Sequence, residues 1–327
     1  MHPLTRCLFD DAFFEARRLG ASDIHFADRR LPSARVDGRL REILSQPVED
    51  GALAEFYAES LRCASEERSE CGDITIVVAE PTWGRARLHW TRTQRGLSCS
   101  ARLFPAAHPD AQLLGLSARL CELSRSARGL LLIVGSTGSG KSTTLAALLR
   151  VVAESGFRKI ITLENPVEFD LSGVPGSIEQ RRIGTDVASV HDGVLSALRS
   201  DPDVIAIGEV RSADDCNALL RAAETGHLVL ATMHAVDAAS SIDRMLRAFP
   251  AGEAALARTM LAEVLLGVSA QELVVKATGG RILQSELLLA TDAVRALVRD
   301  GKCFHLRNTM TLGGTSGMNR FERATSL

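Results

Sequence analysis

Gly135-Ser136-Thr137-Gly138-Ser139-Gly140-Lys141-Ser142 fits the pattern G-x-x-x-x-G-K-[ST], the spacing of a phosphate-binding loop. Glycines at these positions let backbone N–H groups close around phosphate oxygens, and a following helix aims its positive end at them. Lys141 is placed to reach the β- and γ-phosphates of a nucleotide, the Ser142 hydroxyl to join Mg²⁺, and Thr143 to close the binding stretch. A chance match somewhere in the chain is on the order of one per cent. The flanks strengthen it, because Leu130–Val134 reads as the strand before such a loop and Thr144–Leu149 as the helix after it.

Working outward, short unbroken apolar runs occupy residues 130–134, 160–163, 204–207 and 228–231, each followed by polar residues and a helical stretch. Runs of this length between helices predict parallel strands buried on both faces, hence an α/β sheet. Ligands of such sheets bind beyond the carboxyl ends of the strands. There the sequence places Glu164 after Ile160–Leu163, Glu209 after Val204–Gly208, and His234 after Leu228–Met233. If the strands are parallel, these three side chains meet the phosphate loop at one edge. One carboxylate would hold Mg²⁺ and another would orient or deprotonate the attacking water, while an imidazole contacts the γ-phosphate. A helix-start acid or a hydrogen-bonded structural histidine is the plainer account of each residue taken singly.

The first hundred residues have a different character. Phe9, Phe13 and Ala16 predict an amphipathic helix over 7–19, followed by a strand at 21–26. Asp37-Gly38 supplies a hairpin turn, and Pro47 with Glu49 and Asp50 predicts the start of a second helix carrying Leu53, Phe56 and Leu61. Residues 73–80, 85–92 and 96–104 alternate apolar and polar, the pattern of an antiparallel meander with one wet face. A small α+β domain over 1–104, a linker over 105–112 and an α/β domain over 113–327 follow, in keeping with two domains in 327 residues.

Composition narrows the function. Apolar residues make up 46% and charged residues 24%, ordinary for a globular protein and too apolar for disorder. A net charge of −2 and an aromatic content of 4% argue against nucleic-acid binding, and so against a helicase. No apolar run approaches the 18 residues of a membrane helix, and acids at positions 10 and 11 argue against a secretory signal. The seven cysteines form an odd set without a C-x-x-C pair, so buried thiols in a reducing cytoplasm are expected rather than disulfides or a zinc site.

The combined boxes resemble the secretion and pilus motor ATPases, most closely the type IV pilus retraction ATPases. Gly135–Thr144 resembles that family's Walker A box, Ile160–Phe169 its acidic box, Leu198–Arg211 its Walker B region, and Thr225–Ala235 its His box. Gly20–His25 and Arg35–Gly38 resemble its N-terminal PAS-like domain. The resemblance implies a RecA-like P-loop ATPase domain behind that smaller domain, with ATP and Mg²⁺ as ligands. It implies that Glu164 is the catalytic glutamate, that Glu209 is the Walker B glutamate near Mg²⁺, and that His227 and His234 are the His-box pair. It further implies a cytoplasmic homo-hexameric ring docked on an inner-membrane platform protein, with arginines of a neighbouring N-terminal domain reaching the nucleotide. Arg85, Arg87, Arg95 and Arg102 are the candidates for that reach.

Departures from the family pattern are local. Asn165 stands where the family usually has aspartate, and Asp292–Asp300 is only similar to a retraction-type segment, matching at Arg295 and Arg299 but not at Ala296 and Asp300. The chain ends soon after Gly317-Met318, without the family's usual last helix, and has no four-cysteine insertion of the assembly type. A conjugative or type IV secretion motor and a non-hydrolysing ATP-binding ring subunit are the alternatives.

Overall fold

The computed structural model describes residues 3–62, 65–68, 73–105, 107–156, 158–276 and 280–321. The chain divides into two compact units that part between Ala107 and His108. The first contains α1 (Pro3–Arg18), β1 (Asp23–Ala27), β2 (Ser33–Val36), β3 (Arg39–Glu42), α2 (Ala52–Arg62), β4 (Ser65–Arg68), β5 (Ile74–Glu80), β6 (Gly84–Thr93) and β7 (Gly96–Leu103). These strands form one antiparallel sheet in the order β3-β2-β1-β7-β6-β5-β4.

Alternation explains which face is dry. Ile76, Val78, Ala86, Leu88, Trp90, Cys99 and Ala101 are buried, while the residues between them are half-buried or exposed. Phe9 and Phe13 of α1 close the core with Phe56 of α2; Phe9 stacks on Phe56 at 4.2 Å and Phe13 on Trp83 at 3.8 Å. Asp37 and Gly38 adopt φ of 48° and 81°, the pair of left-handed residues that a two-residue hairpin between β2 and β3 requires. The second helix begins at Ala52, not at Pro47. The cause is Val48, which is buried and ties its N–H to Arg30 O (2.9 Å) and its C=O to Arg29 N (2.9 Å), holding the chain extended beyond Pro47.

The second unit contains α3 (Ala118–Leu123), β8 (Gly129–Val134), α4 (Lys141–Glu154), β9 (Lys159–Glu164), β10 (Ser177–Arg182), α5 (Val190–Leu198), β11 (Val204–Val210), α6 (Ala213–Glu224), β12 (Leu228–Met233), α7 (Ala238–Arg247), α8 (Ala254–Val264), β13 (Leu265–Val275), β14 (Arg281–Leu289), α9 (Asp292–Arg299) and α10 (Leu306–Leu312). The sheet order is β10-β9-β11-β12-β8-β13-β14. All neighbours pair in parallel except β14, which returns antiparallel along β13. The four apolar runs are β8, β9, β11 and β12, and every residue of β8 and β12 is buried. β10, β13 and β14 have no counterpart in the expected strands. β10 (Ser-Ile-Glu-Gln-Arg-Arg) lies at the sheet edge, where a polar strand is tolerated and leaves no apolar signature.

Among the described residues, Cys7, Cys99, Cys121, Cys216 and Cys303 are free thiols; Cys63 and Cys71 lie outside them. Burial pushes the Cys216 thiol up to about 12 and that of Cys99 well above its usual range. Cys7 departs from the expectation of burial and is exposed, because it lies off the apolar stripe of α1.

Leu131 sits at the centre of β8, fully buried and in register with Leu230 on one side and Gly267 on the other. Leu131→Ala should destabilise the protein by about 3 kcal/mol, read as a lower urea midpoint at unchanged slope.

Candidate active site

The phosphate-binding stretch runs from the end of β8 into the first turn of α4. Gly138 and Gly140 take φ of 77° and 88°, which a side chain would strain, and Gly140 is the N-cap of α4. Gly135 has a different constraint: a Cβ there would lie 2.5 Å from the backbone oxygen of Gln271 on β13. Ser136, Thr137 and Gly138 form the exposed tip, while Ser139 is buried and Lys141, Ser142 and Thr143 are half-buried. Lys141 Nζ donates to the loop's own carbonyls, Gly135 O at 3.0 Å and Ser136 O at 2.8 Å. Burial pushes the Lys141 ammonium pKa down, and the Glu209 and Glu168 carboxylates partly offset that.

Parallel pairing brings the other strand ends to this edge. Glu164 is the last residue of β9, and its Oε1 accepts from Thr162 Oγ1 at 2.6 Å and from Gln180 Nε2 at 3.0 Å. Glu209 lies in β11 where the register with β12 shifts between Ile207 and Val210, a bulge that re-aims the side chain. Thr232 of β12 holds the bulge by donating to Gly208 O at 2.5 Å. A Cβ on Gly208 would stand 3.3 Å from the Glu164 Cα, so a larger residue would press on the end of β9. Glu209 Oε1 lies 2.7 Å from His234 Nε2, and its Oε2 accepts from Arg211 Nε at 2.8 Å and Nη2 at 2.5 Å.

Ser142, Glu164, Asn165, Glu168, Gly208 and Glu209 line one cleft of about 330 Å³. Its lining combines apolar side chains (Leu145, Leu149, Phe169, Leu171) with the carboxylates of Glu164, Glu168, Glu209 and Asp215 and the Arg211 guanidinium.

His227 does not join this cluster. It precedes β12, and its Nδ1 lies 3.1 Å from Ala222 O and 3.2 Å from Thr225 Oγ1 at the C-terminus of α6. The full length of β12 separates it from His234, roughly 20 Å at about 3.3 Å per residue. The two histidines of one sequence box therefore sit at opposite edges of the sheet. Of the four arginines, Arg85 and Arg87 are on β6, Arg102 is on β7 opposite Arg87, and Arg95 is exposed in the turn between the two strands. Arg102 donates to Asp23 Oδ1 at 2.9 Å, and the Arg85 guanidinium lies 5.3 Å from the Phe104 ring centroid.

Two residues at the site, Gln271 and Gln180, carried no sequence signal. Gln271 is buried on β13 and donates from Nε2 to Ser139 O at 2.7 Å, fixing the loop from the neighbouring strand. Gln180 and Thr162 donate to Glu164 and Arg211 to Glu209, while Thr232 holds the Gly208 carbonyl beside it.

A sequence model of the type II/IV secretion system protein family matches residues 1–314. The type IV pilus retraction ATPase PilT of Pseudomonas aeruginosa is 36% identical over 313 residues, 94% of this chain and 90% of its own length. The crystal structure of the pilus retraction motor PilT with bound ADP superposes with a TM-score of 0.82 at 32% identity, covering 97% of this chain and 95% of the other. The Legionella pneumophila ATPase DotB shares the fold, with a TM-score of 0.78 at 24% identity, over 97% of this chain and 94% of its own.

Replacing Gln271 by leucine leaves the buried Ser139 carbonyl without that donor, a loss worth about 1–3 kcal/mol. Gln271→Leu should raise the ATP concentration for half-saturation about tenfold, measured by fluorescent-nucleotide binding, while the far-ultraviolet circular dichroism stays unchanged.

Proposed function

Since the chain belongs to the type II/IV secretion system protein family, we propose that it is a ring-forming ATPase motor of the pilus-retraction type, with Glu164 and Glu209 as its catalytic carboxylates. The observation that carries this is the meeting of Ser142, Glu164 and Glu209 around one cleft beside Lys141. The second unit is read as RecA-like, a reading supported by the parallel sheet with the phosphate loop at the end of a central strand. The first is read as PAS-like, from its antiparallel sheet and covering helices.

In this scheme Lys141 exchanges the carbonyls of Gly135 and Ser136 for the β- and γ-phosphate oxygens. Backbone N–H groups of residues 136–143 at the start of α4 bind the remaining phosphate charge. Glu164, at the mouth of an apolar cleft, orients the attacking water and accepts its proton. His234, 2.7 Å from Glu209, couples the end of β12 to the carboxylate proposed to lie beside the γ-phosphate.

Ser142 and Glu209, with the phosphates, would supply the oxygen donors for Mg²⁺. When bound, the ion neutralises phosphate charge.

The mechanical half of the proposal is a homo-hexamer in which one or more of Arg85, Arg87, Arg95 and Arg102 reach a neighbouring subunit's nucleotide. γ-Phosphate loss releases that contact and moves the domain. No described helix is long and apolar enough to cross a membrane, so force on a pilus or secretion machine at the inner membrane would pass through a platform protein.

Lys141→Ala should abolish ATP binding, whereas Glu209→Gln should keep binding and lose turnover by about 10²–10⁴-fold, measured as phosphate release. Unchanged phosphate release in Glu209→Gln would overturn the assignment of the strand ends. Separate Arg→Gln changes at positions 85, 87, 95 and 102 should slow turnover by ~10³ or more where the residue inserts. A wild-type rate in all four would remove the in-trans contact.

A further inference from the structure

Gln180 lies on the edge strand β10, directly opposite Thr162 of β9. Edge strands do not need a polar amide directed at their neighbour, yet this one uses both ends of its side chain. Nε2 donates to Glu164 Oε1 at 3.0 Å and to Phe169 O at 2.9 Å, and Oε1 accepts from Leu171 N at 2.7 Å. Three bonds from one amide join the carboxylate at the end of β9 to the backbone of the segment that lines the cleft beside it.

The arrangement is specific to glutamine. A carboxylate could accept from Leu171 N but could donate to neither Glu164 nor Phe169. Leucine would match the size and make none of the bonds. Thr162, fully buried two residues before Glu164 on the same face of β9, adds a second donor to the same Oε1 at 2.6 Å. The side-chain rotation of Glu164 is thereby fixed from below by its own strand and from the side by β10. Phe169 and Leu171, both buried, are the apolar wall of the cleft whose backbone Gln180 grips. One residue thus touches both the carboxylate and the backbone of the apolar wall beside it.

We propose that Gln180 is a positioning residue for hydrolysis, acting through Glu164 and the Phe169–Leu171 backbone, and that it serves the chemical step rather than nucleotide binding. The proposal rests on the reading of Glu164 as the group that prepares the attacking water. Binding should be spared because the phosphate contacts come from the loop and α4, which Gln180 does not touch. The chemical step should suffer because a displacement of the order of 1 Å in a reacting group costs about 10²-fold.

The test is steady-state ATP hydrolysis by the full chain for Gln180→Glu, Gln180→Leu, Glu164→Gln and the double variant Gln180→Leu/Glu164→Gln, with nucleotide binding measured in parallel. Gln180→Glu keeps the acceptor for Leu171 N and removes both donors, so it carries the test if the leucine variant fails to fold. Each Gln180 variant should lose about 10–100-fold in kcat with the ATP KM and the nucleotide Kd within about twofold of the parent. In single-turnover measurements the double variant should be no slower than Glu164→Gln alone, the non-additivity expected of residues acting as a unit. A kcat near the parent value in Gln180→Glu, or a loss seen only in nucleotide affinity, would overturn the role of Gln180 while leaving Glu164 in place. Normal hydrolysis by Glu164→Gln would instead remove the catalytic reading of Glu164, and the Gln180 proposal with it.

Discussion

Parallel strands buried on both faces leave side-chain chemistry little room except at their ends. Every residue of β8 and β12 is buried, and the two threonines inside the sheet, Thr162 and Thr232, spend their hydroxyls on Glu164 and on the Gly208 carbonyl. An unpaired carboxylate or ammonium within those strands would carry a desolvation cost that nothing in the core could offset. The carboxyl edge is where such groups can be hydrated, paired and aimed. The phosphate loop after β8, Glu164 ending β9, Glu209 near the end of β11 and His234 after β12 therefore share an edge because the strands run the same way. The site is a consequence of the sheet's polarity as much as of any single motif.

Pairing at that edge is dense. Glu209 sits between His234 and Arg211, and Lys141 bonds the carbonyls of its own loop while feeling the field of Glu209 and Glu168. Burial disfavours the Lys141 charge, and the two carboxylates work against that penalty. Phosphate oxygens placed at this edge would compete for the same donors, so nucleotide binding would be coupled to rearrangement of the charge cluster. That is the property a motor needs, since a side chain that changes partner with the state of the nucleotide can bias a domain between two positions.

Much of the architecture was legible because its signals are physical. Unbroken apolar runs read as parallel strands, and alternation read as the one-faced sheet of the first unit, with Trp90 and Ala101 on its dry side. What could not be read follows the same logic in reverse. β10 is polar because it lies at an edge, so it has no apolar run to betray it. The start of α2 slid from Pro47 to Ala52 because Val48 is held by backbone bonds from distant residues Arg29 and Arg30, which a local pattern cannot contain. His227 and His234 share a sequence box, but a box counts residues and says nothing about a six-residue strand running between them. Gln180 and Gln271 belong to no motif at all; their importance lies in which carbonyls and carboxylates their amides reach.

Asn165 can be weighed on the same terms. It lines the cleft together with Glu164, Glu168, Glu209, Asp215 and Arg211, so the lining already carries four acidic side chains against one arginine. An aspartate at 165 would add a fifth like charge within a small volume, and each such charge raises the cost of keeping its neighbours ionised. The segment that follows does not depend on the charge of residue 165 for its position, because Gln180 holds it through the backbone of Phe169 and Leu171. The wall of the cleft and the aim of Glu164 are thus set by neutral amide bonds, and residue 165 tunes the field of a site whose geometry is fixed elsewhere. Asparagine in that place changes the field of the cleft and leaves the carboxylates of Glu164 and Glu209 where they are.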